Sequence, residues 1–438
     1  MTPKKIIDAG PMHPMQWAAI IITIGLNALD GFDVLSSAFA GPGIKQEWNL
    51  APDGLGIVLS MELIGMGVGS LLLGGAADRF GRRPVILACL AFMATGMFLA
   101  AAASSPQQLS LWRFLTEIGI GGMLSAINAV ANEYSNAKNR SFAMALMVIG
   151  YPLGGFFGGL VVQYLLPAND WRAIFHFGAV ATVAFIPLVW LFIPETPAYL
   201  NARRPARALE RINATLGRFA LPPLSELAPL EPAVAKARVT DILKAPYLRT
   251  TMLLSFAYAF HALTFYFTLK FAPSIISDPQ FAGQSFTRAQ GAGVLAYANL
   301  GGAIGGAVFG WFMYRFGIKK STLTALGMSC IMLAFFGLGQ STLLGWGLAV
   351  VAVGLFTNSA IVGFYSAWAA AYPTHMRATG TGFALSIGRG GAALSPYLAG
   401  TLFKNDLGLM TVSLIMAVGS LIAMALLSMV DMTEKETT

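Results

Sequence analysis

Twelve apolar stretches of roughly twenty residues or more punctuate this 438-residue chain, at about 17–40, 54–77, 84–103, 107–134, 141–166, 172–193, 249–276, 288–314, 320–339, 342–370, 376–403 and 408–430. A helix of that length crosses the hydrocarbon of a bilayer. The pattern therefore predicts an all-α membrane protein with twelve spans, six on each side of one long polar segment. The expected divisions are a first six-helix bundle over 1–193, a central loop over 194–248 and a second bundle over 249–438.

Composition agrees. The chain is 56% hydrophobic and 11% charged, with a mean hydropathy of +0.66, whereas soluble domains carry about 25% charged residues. The first sixteen residues are polar and include Lys4 and Lys5. No short apolar run there ends in a small-residue cleavage site, so the first span is expected to direct insertion.

The net charge of +8 would fit nucleic acid only if the basic residues formed a patch. Of 28 Lys and Arg, 21 fall in the tails, the central loop and the loops on that same side, counting Lys435, and four fall opposite: Lys45, Arg172, Arg288 and Lys404. That asymmetry is the positive-inside bias, which places both termini and the central loop in the cytoplasm. Cys89 and Cys330 have no Cys or His companions and read as packing residues.

The halves repeat. Sliding the chain by 236 residues lays GGAADRFGRRPVIL, from Gly74, over GWFMYRFGIKKSTL, from Gly310, matching Gly74, Arg79, Phe80 and Gly81 to Gly310, Arg315, Phe316 and Gly317. Parallel six-span repeats occur in secondary transporters, with the substrate site near the midplane between them. A three-span periodicity points the same way. Spans one, four and seven carry Asp30, Asp33, Arg113, Glu117 and Lys270, and span ten carries Thr357-Asn358-Ser359. Spans three, nine and twelve have no charge, and span six has only His176 near one end. The polar set should line a wet cavity and the apolar set should face lipid.

GGAADRFGRR between spans two and three resembles the G-x-x-x-D-R-x-G-R-R signature of the major facilitator superfamily. PETPAYL at 194–200 looks like the segment after span six in many of its porters. Within that superfamily, DGFD in span one, RFLTEIGIGG leading to NEYSNAKNRS in span four, and YPTHMRATGTGFALSIGRGG in span eleven are similar to the aromatic acid/proton symporter family. The resemblance covers essentially the whole chain. It implies a twelve-helix fold, uptake of an aromatic carboxylate by alternating access, and a proton gradient as the energy source with no cofactor. It also implies residence in a bacterial inner membrane and action as a monomer. Glu117, where the family usually has glycine, and Lys270, where it has neutral residues, depart from the pattern.

Asp30 and Asp33 lie three apart on one helical face with Asn27 a turn back. Desolvation and like charge favour protonating such a pair, so Asp30, Asp33 and Glu117 are the candidate proton carriers, Asp30 first because it lies nearest mid-depth. The alternative for the aspartates is a permanently charged structural pair, capping a break at Gly31 or bonded to Arg389. Arg389 itself, near the middle of span eleven, offers a planar fork to a carboxylate and a surface for a ring. Arg113 should reach Glu117, four residues on, either as a neutralised helix pair or as a further substrate-binding cation. Lys270 could attract an anion at the mouth or extend its ammonium to the interface. Tyr266, Phe267, Asn358, Phe364, Tyr365 and Trp368 could line the pocket.

Asp78, Arg82, Arg83, Glu133 and Arg140 could form an ion network that breaks when the inner gate opens, or mark topology alone. Gly65, Gly69, Gly74, Gly154, Gly155 and Gly158 should permit close helix contact. With four histidines in no ligand spacing, no nucleophile elbow and no phosphate loop, neither a metal site nor an enzyme is expected. The rival functions are a porter of non-aromatic acids such as muconate, a sugar porter, or a drug/proton antiporter.

Overall fold

A computed structural model describes residues 2–229, 239–279 and 286–430, apart from the side chains at 374, 375 and 378. Lys435 and positions 230–238 of the central loop lie outside the described residues. Among the described residues there is no strand, and twelve helices of twenty residues or more run in sequence. These are α1 Pro14–Glu47, α2 Pro52–Leu73, α3 Arg82–Ala101, α4 Pro106–Tyr134, α5 Arg140–Leu165 and α6 Arg172–Phe192, then α7 Leu248–Ile276, α8 Arg288–Phe316, α9 Ile318–Gly337, α10 Leu343–Ala371, α11 Thr374–Lys404 and α12 Leu409–Ser428. Twelve crossings bring both termini to one face.

Helices dominate because backbone groups in hydrocarbon must be satisfied within the segment. Their starts carry local signals: Pro14 follows a capping box of His13 and Gln16, and Thr287 with Gln290 makes another at α8. Pro52 and Pro106 open α2 and α4, where a missing N–H costs nothing. Eleven helices are long and apolar enough to cross a membrane. The twelfth, α11, is 31 residues long but is diluted by Arg377, Arg389 and a run of Thr, Ser and Gly.

The repeat has a backbone counterpart. Gly81 and Gly317 both have positive φ, +106° and +82°, with nearly equal ψ of 155° and 154°. Each breaks one helix and begins the next, in a conformation open chiefly to glycine. The preceding pairs match as well, with Arg79 over the Phe80 ring and Arg315 over the Phe316 ring.

Close approaches then set helix rotation. A Cβ on Gly65 or Gly69 of α2 would strike the α4 backbone at Phe114 or Ile118, and one on Gly154 of α5 would strike Ala28 of α1. Gly391 stands likewise against Ala259 of α7, while Gly388 beside it takes the Tyr258 ring. The halves meet mainly through α2 with α11 and α5 with α8, and also through α1 with α7. At the face opposite the termini Lys45 pairs with Asp278 at 2.6 Å and Lys404 with Asp53 at 2.7 Å, closing that end.

Candidate functional site

Because α2 and α4 touch backbone to backbone, Glu62 and Arg113 project into one buried space. The Arg113 guanidinium, with no solvent exposure, uses its whole fork there. Nη1 donates to Asp33 Oδ1 at 2.6 Å, Nε to Glu62 Oε1 at 2.8 Å, and Nη2 to Glu117 Oε1 at 2.7 Å and to the Asp33 carbonyl at 2.8 Å. Lys270 of α7, equally buried, crosses between the halves and donates to Glu62 Oε2 and to the Val34 carbonyl. Two cations thus share three carboxylates.

Asp30 stands beside this group without joining it. It is 2% exposed, and no described residue donates a hydrogen bond to either oxygen. Neighbouring Asn27 is engaged with the Met147 carbonyl at 2.7 Å. Tyr151, brought against Gly31 by the α1–α5 contact, lies within electrostatic range of Asp30.

Arg389 lies apart from both aspartates. Its Nη1 donates to the Met66 carbonyl of α2 at 2.6 Å, so it too bridges the halves. Tyr258, Tyr266 and Tyr365 lie within electrostatic range of it. Tyr266 lies beside Tyr151, and the Tyr258 and Tyr365 rings are 6.5 Å apart between centroids. The Trp368 ring packs on Tyr258 and Tyr365, at centroid distances of 5.0 and 5.3 Å. Tyr365 is 43% exposed although these groups surround it, so the cluster borders an opening rather than a sealed core. Adjoining it, Tyr151, Phe265, Thr268, Asn299 and Asn358 line a small cavity of about 20 Å³ at the junction of the halves. A guanidinium among aromatic rings can hold a carboxylate by paired hydrogen bonds while the rings cover an apolar body.

At the termini face Arg82 Nη2 reaches Asp78 at 3.1 Å and Glu133 at 2.7 Å. Arg83 donates to the Trp190 carbonyl at 2.6 Å and lies over its ring.

The description "Major Facilitator Superfamily" matches residues 23–396. The chain belongs to that superfamily. It is accordingly a multi-pass membrane transporter and not an enzyme. A gallate transporter of Pseudomonas putida is 31% identical over 93% of this chain and 90% of its own length. A 4-hydroxybenzoate transporter of Pseudomonas aeruginosa is 30% identical over 91% and 89%. In fold, the superfamily's xylose transporter from E. coli, in an inward open conformation, aligns with a TM-score of 0.75 at 15% identity, covering 96% of this chain and 98% of that one. The nucleoside transporter NupG aligns at 0.69 and 17%, covering 94% and 100%.

The superfamily frame shows where the sequence reading needs amending. Arg389 is not the standing partner of Asp30 or Asp33, because α11 meets α2 and not α1 at that depth. Lys270 reaches neither the mouth nor the interface, because Glu62 and Val34 engage its ammonium inside. Arg113 points its donors at three carboxylates and away from the opening. Arg140 bonds Asp8 and the Asn132 carbonyl, outside the Arg82 group. Phe267 packs into the core with Phe336 and Phe403. His261 is satisfied structurally between Ser420 and the Thr357 carbonyl, at 2.8 and 2.9 Å.

Two residues escaped notice. Glu62 is a lone acid in SMELIGMG, and the rule that singled out Asp30 would have found it. Glu195 of PETPAYL accepts from the backbone N–H groups of Arg82, Arg83 and Thr196, at 3.0, 3.3 and 2.9 Å.

Proposed function

We propose that this transporter takes up an aromatic carboxylate together with a proton by alternating access, acting as a monomer in a bacterial inner membrane with both termini cytoplasmic. The observation that carries the reading is Arg389, a central guanidinium bridging the halves and set among Tyr258, Tyr266, Tyr365 and Trp368. The names of the gallate and 4-hydroxybenzoate relatives support the aromatic class. In this reading the carboxylate takes the Arg389 donors from Met66, the ring lies among the tyrosines, and Asn358 meets its polar substituents.

Asp30 carries the proton. A carboxylate with no donor beside it in a low-dielectric interior favours the neutral form. One anion with one proton moves no net charge, so the pH gradient drives the cycle. The closed Lys45–Asp278 and Lys404–Asp53 end supports an assignment to the state that opens toward the cytoplasm. Asp78, Arg82, Arg83 and Glu133, with Arg140 on Asp8, are the elements that would rearrange when that inner end closes.

Proteoliposomes test this with labelled benzoate, hydroxybenzoates, protocatechuate, terephthalate and muconate, with and without a protonophore. A one-ring acid should accumulate and be released when the protonophore is added. Preference for muconate, or accumulation indifferent to the protonophore, would overturn the reading.

A further inference from the structure

The buried charges beside Asp30 do not balance. Asp33, Glu62 and Glu117 face Arg113 and Lys270, so full ionisation leaves one negative charge. Asp33 Oδ2 and Glu117 Oε2 have no hydrogen-bond partner among the described residues. An uncompensated charge sealed from water is strongly disfavoured, and taking up a proton removes it. The chain's organisation adds a second asymmetry. Four of the five groups sit on α1, α2 and α4 of the first half, and Lys270 alone comes from the second. Whatever separates the halves there removes one positive charge from the group.

We infer that Lys270 governs a second transported proton: when the outer end opens, Lys270 leaves Glu62 and the three acids, one of them protonated already, take up a further proton from outside. When that end closes, Lys270 docks again and the proton departs inward. The inference rests on the proton-coupled uptake proposed above and adds a charge to it.

Glu62 is suited to such an exchange. Its Oε1 is held by Arg113 at 2.8 Å while Oε2 takes Lys270, so the carboxylate keeps one partner when the lysine withdraws. The exit is assigned to Glu117, whose second oxygen has no hydrogen-bond partner among the described residues. Tyr151 and Tyr266 are within electrostatic range of Glu117, and Tyr266 is also within range of Arg389 at the opening. The groups facing the acids are Asp30 on α1, Arg113 on α4, Tyr151 on α5, and Lys270 and Tyr266 on α7, with Cys89 of α3 beside Asp30. Of the cations among them, Lys270 alone is paired with the acids from across the interface. The proton enters and leaves as a proton. With the proton on Asp30 and one carboxylate anion, each turnover then carries one net positive charge inward.

The test uses proteoliposomes with no pH gradient, an inside-negative potassium diffusion potential, and labelled 4-hydroxybenzoate and gallate as probes. Wild type should accumulate its preferred probe about tenfold for a potential of about 60 mV, the value for one net charge. Lys270→Met should lose this response and still accumulate under a pH gradient. Lys270→Arg should restore it. Glu62→Gln/Lys270→Met guards against misfolding, since it leaves neither partner charged, and it should also respond to the pH gradient alone. Voltage-driven accumulation equal to wild type in Lys270→Met or in the double variant would overturn the inference. So would a wild type that responds to pH and not to voltage, or a folded double variant that has lost pH-driven uptake. A wild type that accumulates neither probe under either gradient would instead remove the proton-coupled reading itself.

Discussion

Asp30 and Asp33 sit three residues apart on one face of α1, yet Arg113 holds Asp33 at 2.6 Å while Asp30 receives no hydrogen bond from any described residue. The two carboxylates should answer to the same substitution differently. Asp30→Asn removes no described bond, so the purified variant should melt at or above the wild-type temperature while proton-driven accumulation disappears. Asp33→Asn loses a charge-assisted hydrogen bond from Arg113 and should cost about 1.5–3 kcal/mol. Thermal unfolding in detergent, read beside uptake, separates them. Intact accumulation by the Asp30 variant would assign its proton elsewhere.

Arg389 gives a second contrast, between charge and shape. Lysine keeps the charge and loses the planar fork that matches a carboxylate. Losing one charge-assisted hydrogen bond is worth about 1.5–3 kcal/mol, so Arg389→Lys should raise KM by about ten- to a hundredfold. Only one described hydrogen bond, to Met66, is at stake for stability, so the melting temperature should barely move. An unchanged KM would place the anion away from α11.

What the sequence disclosed follows from which constraints are local. Span number, the polar centre and the glycine-marked repeat were legible because the bilayer imposes length and apolarity on each segment separately. Helix ends were less so: α1 runs to Glu47, past an expected end near 40, because Pro42 is accommodated inside it. Partner choice was not legible. Whether Asp33 meets Arg113 or Arg389, and whether Lys270 finds water or Glu62, depends on how helices rotate against one another. Contacts such as Gly65 on Phe114 and Gly391 on Ala259 fix that rotation between segments distant in sequence. Arg113–Glu117 was the exception, since four residues on one helix suffice to bring them together.

Those contacts can be tested directly. On Gly154 a Cβ would overlap the Ala28 carbonyl, a backbone atom, whereas on Gly310 it would meet open space. Gly154→Ala should therefore force α5 off α1 and destabilise by about 1–3 kcal/mol, displacing Tyr151 from Asp30 and lowering transport. Gly310→Ala should leave both melting and uptake close to wild type. Equal behaviour of the two variants would mean that the α1–α5 approach is not tight.

Glu195 links pH to stability at the termini face. Burial pushes its carboxyl above the usual 4.5, against the pull of three backbone N–H donors and the Arg82 charge. The folded protein therefore holds this proton to higher pH than the unfolded chain does. The sign follows: stability from this group is greatest below the usual carboxylate range and is lost as pH rises from about 4.5 through the raised native value. Glu195→Gln cannot titrate, so its melting temperature should fall less over that interval than the wild type's. The amide keeps one acceptor oxygen for the N–H groups that Oε1 and Oε2 now divide between them. It should accordingly be less stable than wild type by about 1 kcal/mol at neutral pH. Melting curves collected across the interval decide the matter: parallel profiles for the two proteins would mean that Glu195 binds its proton equally in the folded and unfolded chain, so that burial does not control it.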